Sequence, residues 1–132
     1  AAATDPWAAA DQAAASSGCT VLLKGVPTVV AAQGRVVTVA AGNPGLATGG
    51  SGDLLGGLIA TFLAQGVNPL HSAALGAQAL GNGAEQAARE FGMRGMRPMQ
   101  VVSSMQAVWQ SWRNLQESPR DWLVEMLAPF EL

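Results

Sequence analysis

Residues 43–66 read NPGLATGGSGDLLGGLIATFLAQG, and Gly49-Gly50-Ser51-Gly52-Asp53 is the part of that stretch on which the rest turns. Its three glycines permit tight or positive-φ backbone. The residues after them (Leu54, Leu55, Leu58, Ile59, Phe62, Leu63) recur with helical period. A loop almost without side-chain bulk therefore opens straight into a helix. That junction presents the first unpaired N–H groups and the positive end of the helix dipole, while glycine lets a bulky anion come close. It is a place to hold a phosphate. Asp53 stands there as the only carboxylate between Asp11 and Glu85. A first-turn aspartate is also a common helix-stabilising device, so the loop alone leaves two readings open.

The 132 residues fit one domain, residues 1–132, able to bury roughly two thirds of the unfolded surface without disulfides. With 49% hydrophobic residues, 12% charged residues and a net charge of -2, neither a disordered chain nor an electrostatic nucleic-acid binder is favoured. One cysteine, Cys19, cannot form an internal disulfide and reads as a buried thiol. There is no signal-peptide pattern and no long uncharged apolar span, so a cytoplasmic setting and no membrane partner are expected.

Working outward from the glycine loop, Thr4 or Asp5 can cap a helix that has Pro6 in its first turn, runs through the Ala-rich stretch to Ala15, and closes at Gly18. Cys19 to Leu23 reads as a buried strand with Lys24-Gly25 as its exit and Pro27 as a break. Thr28 to Ala31 and Arg35 to Ala40, parted by Gln33-Gly34, are rich in β-branched residues and read as a hairpin. After the loop a helix is predicted from Asp53 to about Gln65, with Gly56, Gly57 and Ala60 close-packed against a sheet and Gly66 as its stop. Pro69 begins a second helix through about Phe91 with Ala73, Ala77, Leu80, Ala84, Ala87 and Phe91 as a narrow apolar stripe. Residues 92–97 form a break, and Pro98 opens a third helix with Val101, Val102, Met105, Val108, Trp109 and Trp112 near one face. A further helical turn is expected around Trp122, Leu123 and Met126. His71, the only histidine, reads as a solvated helix-end residue, and no His/Cys/Asp/Glu grouping has metal-ligand spacing.

Residues 43–60, NPGLATGGSGDLLGGLIA, closely resemble the signature of the ADP/ATP-dependent NAD(P)H-hydrate dehydratases, a branch of the ribokinase-like superfamily. Upstream, residues 21–30, VLLKGVPTVV, are similar to the same family's strand and Lys-Gly-x-x-Thr nucleotide segment. Two motifs in the right order are far more specific than either alone. One departure lies at residues 95–100, GMRPMQ, where the family usually has Ala-Ser-Asp or similar after its Gly-rich bend.

The resemblance implies an α/β fold, the ribokinase-like three-layer α/β/α sandwich, of which this chain would be a C-terminal fragment with a few strands and three or four helices. A parallel sheet with an apolar edge left open is expected. It implies a lyase of nicotinamide-nucleotide repair that uses ADP or ATP to dehydrate hydrated NADH or NADPH, releasing AMP or ADP and phosphate. The amides of Gly50, Ser51 and Gly52 would form the anion hole, and Asp53 would be the base and meet the substrate. Lys24, Gly25, Val26, Pro27, Thr28, Asn43, Thr48, Gly49 and Gly52 would bind the nucleotide, and Mg²⁺ would arrive with its phosphates rather than in a protein cage. Lys24 is otherwise read as a strand-end lysine reaching water. A homo-oligomer is expected of the full-length protein. The alternatives are a ribokinase-like sugar or vitamin kinase, and a nucleotide-binding fragment without chemistry. The isolated 132 residues are expected to be inactive.

Overall fold

Asp5 starts the first helix by accepting the Trp7 N–H on its carboxylate at 2.9 Å, with Pro6 at a position that needs no amide hydrogen. The computed structural model describes residues 5–116. Helix α1 (Pro6–Ser17) ends at Gly18, whose φ of 68° is the left-handed cap that glycine adopts without cost. Strands β1 (Val21–Leu23), β2 (Thr28–Ala32) and β3 (Arg35–Val39) follow, and then a 3₁₀ turn at Pro44–Leu46. Helices α2 (Ser51–Ala64), α3 (Pro69–Phe91) and α4 (Pro98–Gln116) complete the described chain. The helical turn expected around Trp122, Leu123 and Met126 lies outside the described residues.

The sheet has the order β1-β2-β3 and is antiparallel throughout, with Leu22 opposite Val30 and Val30 opposite Val37. The parallel pairing expected from the resemblance is thus absent among the described strands. The reason is connection length: only residues 24–27 join β1 to β2, and a parallel crossover needs about a dozen residues or more. Gln33 and Gly34, at φ 50° and 75°, make the tight turn between β2 and β3.

Strand alternation divides the core in two. Val29 and Ala31 of β2, with Val21 and Val36, meet Ala10 and Ala14 of α1. On the same face, the Trp7 indole N–H donates to the Thr38 hydroxyl at 2.9 Å. Val30, Val37 and Val39 point the other way, into a larger core with Leu55 of α2 and Leu70, Ala77 and Leu80 of α3. The sheet therefore carries helix on both faces, and β2 is buried on both.

α3 is the inner helix and is buried over far more than a narrow stripe, because β2 and β3, α2 and α4 surround it. Its small residues allow this. A methyl at Gly76 would lie 2.6 Å from Ile59 Cγ1, one at Gly81 would lie 2.5 Å from the Ala41 carbonyl, and one at Gly83 would strike Met105 Cε. Phe91, at the exposed helix end, is outside this packing.

Several sequence expectations are corrected. Cys19 is exposed, not buried, because it lies in the turn after Gly18 and β1 begins only at Val21. β1 is a half-buried strand whose Leu23 is exposed, since it pairs on one side only with β2 among the described strands. Gly56, Gly57 and Ala60 face outward, with nothing near a Cβ at either glycine; α2 packs on α3 through Leu55 and Ile59 instead. Val102 and Trp109 are also exposed, while Val101 and Val108 carry the inward side of α4.

Two glycine substitutions check this packing. Gly81→Ala is expected to lower unfolding free energy by about 1–3 kcal/mol, because the Ala41 backbone has nowhere to move. Gly57→Ala, in open helix surface, is expected to raise it by about 0.5–1 kcal/mol. Denaturant titration of both variants reads the two signs, and equal effects would contradict the assigned packing.

Candidate functional site

The turn that launches α2 decides the geometry. Gly50 takes φ 89°, a left-handed conformation that an L side chain strains to reach, and the helix starts at the next residue. The sequence reading placed the start two residues later, at Asp53. Gly50 as N-cap has no side chain to cover the free amides. Among the described residues the Gly49, Gly50, Gly52 and Asp53 N–H groups have no protein acceptor, whereas the Ser51 N–H donates weakly to Thr48 O at 3.4 Å. Asp53, in the first turn, is exposed.

The loop before it is held from below. Asn43 Oδ1 accepts the Gly45 N–H at 2.9 Å and so starts the 3₁₀ turn. Gly45 fits against the 92–97 bend so tightly that a methyl there would lie 2.7 Å from Met93 O and 2.8 Å from Met96 Cε. Pro98 lies 3.6 Å from where a Gly50 Cβ would be. The 92–97 bend thus packs under the 3₁₀ turn, with Met96 buried there, and Pro98 lies beside Gly50. Glu85 of α3 fixes the other end, accepting the Gly42 N–H at 2.9 Å.

Lys24 joins the two sequence motifs. Its ammonium donates to the Ser51 hydroxyl at 2.6 Å and lies 3.5 Å from Leu46 O. Those partners are neutral oxygens, so they do not compensate the positive charge. The Ser51 hydroxyl, 2% exposed, donates in turn to Leu46 O (2.8 Å) or Thr48 O (3.0 Å). Thr28 turns its hydroxyl back to Gly25 O at 3.3 Å and closes the Lys-Gly-x-x-Thr segment on itself.

Beside this contact lies a cavity of about 320 Å³. Lys24, Gly25, Val26, Pro27, Thr28 and Asn43 all line it, together with apolar groups from Val39, Leu55 and Leu80. Val26 is 97% exposed at this cavity, an unusual position for an apolar side chain. Asn43 Nδ2 is buried without a hydrogen-bond partner, an arrangement that costs free energy unless a ligand or water accepts from it. Thr48, Gly49, Gly50, Ser51, Gly52 and Asp53 do not line the cavity; the Lys24–Ser51 hydrogen bond connects their loop to it.

The remaining candidates sit apart from this arrangement. His71 is half-buried and belongs to the start of α3, where its N–H donates to Asn68 Oδ1 at 3.0 Å and its Nδ1 lies 2.7 Å from Asn68 Nδ2. Trp109 and Trp112 pack with Phe62, ring centroids 5.3–6.5 Å apart, on the α2–α4 side. Among the described residues no three His, Cys, Asp or Glu side chains converge as a metal site, and no helix is long and apolar enough to cross a membrane.

With this geometry in place, comparison with known proteins is decisive about kinship. The model of the NAD(P)H-hydrate dehydratase family matches residues 3–107. The chain belongs to that family. It is 44% identical over 97 residues to a bifunctional NAD(P)H-hydrate repair enzyme of Moorella thermoacetica, covering 73% of this chain and 18% of that protein. The bifunctional NAD(P)H-hydrate repair enzyme of Escherichia coli K12 is 40% identical over 92 residues, 69% of this chain and 18% of that protein. An ADP-dependent (S)-NAD(P)H-hydrate dehydratase of Neisseria meningitidis serogroup B is 49% identical over 74 residues, 55% of this chain and 25% of that protein. The chain thus spans only 18–25% of the length of these relatives.

The glycine run permits positive φ, and positive φ at Gly52 would be one way for a side chain there to do harm; Gly50 alone within the run adopts it. Gly52 is helical, and a Cβ there meets nothing within 4 Å. Gly52→Val is therefore expected to leave the folded protein intact by thermal melting. It should weaken binding of a phosphate-bearing ligand roughly tenfold or more by blocking its approach to the amides. Calorimetry with ADP reads this, and unchanged affinity would make the loop a structural turn only.

Proposed function

We propose that this chain carries the nucleotide-phosphate and general-base part of an ADP- or ATP-dependent NAD(P)H-hydrate dehydratase, within a ribokinase-like three-layer sandwich to which residues 1–132 contribute as one unit. The observation that carries the reading is the bare start of α2, with unpartnered amides, the Asp53 carboxylate in the same turn and the Lys24 ammonium reaching the loop through Ser51. Family membership supplies the substrate class. The Neisseria relative is an ADP-dependent dehydratase, which favours ADP as the phosphoryl donor here.

In this reading the adenine nucleotide occupies the cavity bounded by residues 24–28, with Val26 and Pro27 as apolar wall and the Asn43 amide as a donor toward it. Its phosphates reach toward Lys24 and the amides of Gly50, Gly52 and Asp53, with the Ser51 amide turned to Thr48 until an anion competes for it. Thr48 and Gly49 complete the edge of the loop. Mg²⁺, held by phosphate oxygens and water, would supply further charge neutralisation, since Asp53 is the only carboxylate this stretch of chain offers.

The substrate is NADH or NADPH hydrated at C6 of the nicotinamide ring. Hydroxide is a poor leaving group. Asp53 takes the proton of the C6 hydroxyl as its oxygen attacks the terminal phosphorus of ADP, and AMP departs with the electrons of the broken P–O bond. The backbone amides stabilise the charge that develops on the transferring phosphoryl oxygens. The ring nitrogen's lone pair then expels phosphate from C6, and loss of a C5 proton restores the dihydropyridine. Hydrated cofactor and ADP become NAD(P)H, AMP and phosphate.

Asp53→Asn in the intact protein tests the assignment. A base acts mainly in the transition state, so kcat is expected to fall by about 10²–10⁴ while ADP affinity changes little. A near-normal rate would exclude Asp53 as the base.

A further inference from the structure

Among the described residues, three polar side chains are buried, Ser51, Ser72 and Ser104, and they do different work. Ser72 and Ser104 donate to backbone carbonyls of Val67 and Gln100 and have no other hydrogen-bond partner. Ser51 makes the same kind of bond to Leu46 O or Thr48 O, yet it also accepts from Lys24. A hydroxyl has one proton and two lone pairs. With the proton committed to a carbonyl at 2.8–3.0 Å, the lone pairs are left for the ammonium at 2.6 Å.

We infer that the Ser51 hydroxyl is a positioning residue that holds the Lys24 ammonium against the start of α2, so that one anion meets the strand-end cation and the helix amides together. The inference rests on the nucleotide reading above. A lysine on the rim of a cavity, with four rotatable carbons, otherwise spreads its charge over many rotamers in water. Anchoring it before the ligand arrives removes that ordering cost from binding. The anchor is well chosen for this purpose, because a carboxylate in its place would neutralise the charge. A hydroxyl directs the ammonium and leaves its charge, and donors besides the one it takes, available. The donor side of the same hydroxyl clips the 3₁₀ turn to α2, so the loop that forms the anion site and the cation that serves it share one fixed point.

The two roles of the hydroxyl separate in a double-mutant cycle on the intact protein, with ADP affinity measured by calorimetry. Ser51→Ala is expected to weaken ADP binding roughly tenfold, the scale of one hydrogen bond to a charged group. In a Lys24→Met background the same substitution is expected to have almost no further effect. An equal loss in both backgrounds would mean that Ser51 only braces the turn, and would overturn the inference. Should Ser51→Ala fail to fold, Ser51→Cys has nearly the same shape with a weak acceptor and carries the same expectations. A second readout needs no nucleotide. Lys24 is the only lysine in these 132 residues, and its acetylation by acetic anhydride, followed by peptide mass spectrometry, is expected to accelerate severalfold in Ser51→Ala. An unchanged rate would overturn the anchor. If the labelling responds but unsubstituted protein binds no ADP, the nucleotide reading fails while the Lys24–Ser51 contact stands.

Discussion

Everything in the candidate site depends on how α2 begins. A helix start normally borrows a side-chain oxygen to satisfy its first amides, and the other well-defined starts here do so: Asp5 accepts from Trp7, and Asn68 from His71. At α2 the cap is Gly50 in a left-handed conformation, with no side chain to offer. The amides of Gly52 and Asp53 are left open in a loop supported from beneath by Met93, Met96 and Pro98. Leaving donors unpaired forgoes stability, and the surrounding packing has to hold the turn in place. Tight contacts at Gly45 below the loop, and at Gly81 next to Ala41 beside it, show how that is achieved.

The elements marked by proline, glycine and capping residues were legible in the sequence. Pro69 and Pro98 open helices, Gly18 and Gly66 close them, and Gln33-Gly34 turns the hairpin, because each of these residue types restricts or frees φ by itself. What could not be read was which neighbour each face would meet. Gly56 and Gly57 have the composition of a close contact, yet the close contacts belong to Gly76, Gly81 and Gly83 on α3, a helix whose small residues were read as a single stripe. Cys19 continues an apolar run but lies two residues before the strand, in the turn after Gly18. The short link from Lys24 to Thr28 did contain the information that β1 and β2 must run antiparallel.

For the site, the sequence signal was strong in identity and weak in geometry. The Lys-Gly-x-x-Thr and Gly-Gly-Ser-Gly-Asp segments stand 27 residues apart at their joining pair, Lys24 and Ser51, and only the folded chain brings them within one hydrogen bond. Ser51 was named for its amide. Its side chain proves to be the link, and no local pattern could have shown this, because the partner comes from another element. Asn-Pro-Gly is a recognisable turn opening, and the Asn43 side chain does bond its own turn at Pro44–Leu46, but the orphaned Asn43 Nδ2 was likewise invisible.

The central claim is that a helix start with open amides and an adjacent carboxylate serves phosphoryl transfer to a hydrated nicotinamide, with water removed from the cofactor in consequence. The most direct measurement incubates the intact protein with hydrated NADPH and ADP, following reduced-nicotinamide absorbance and released phosphate together. The account predicts that NADPH, AMP and phosphate form in equal amounts, with no phosphorylated nicotinamide accumulating. Consumption of nucleotide with a stable phosphorylated product, and no return of NADPH absorbance, would contradict it and mark the site as that of a kinase.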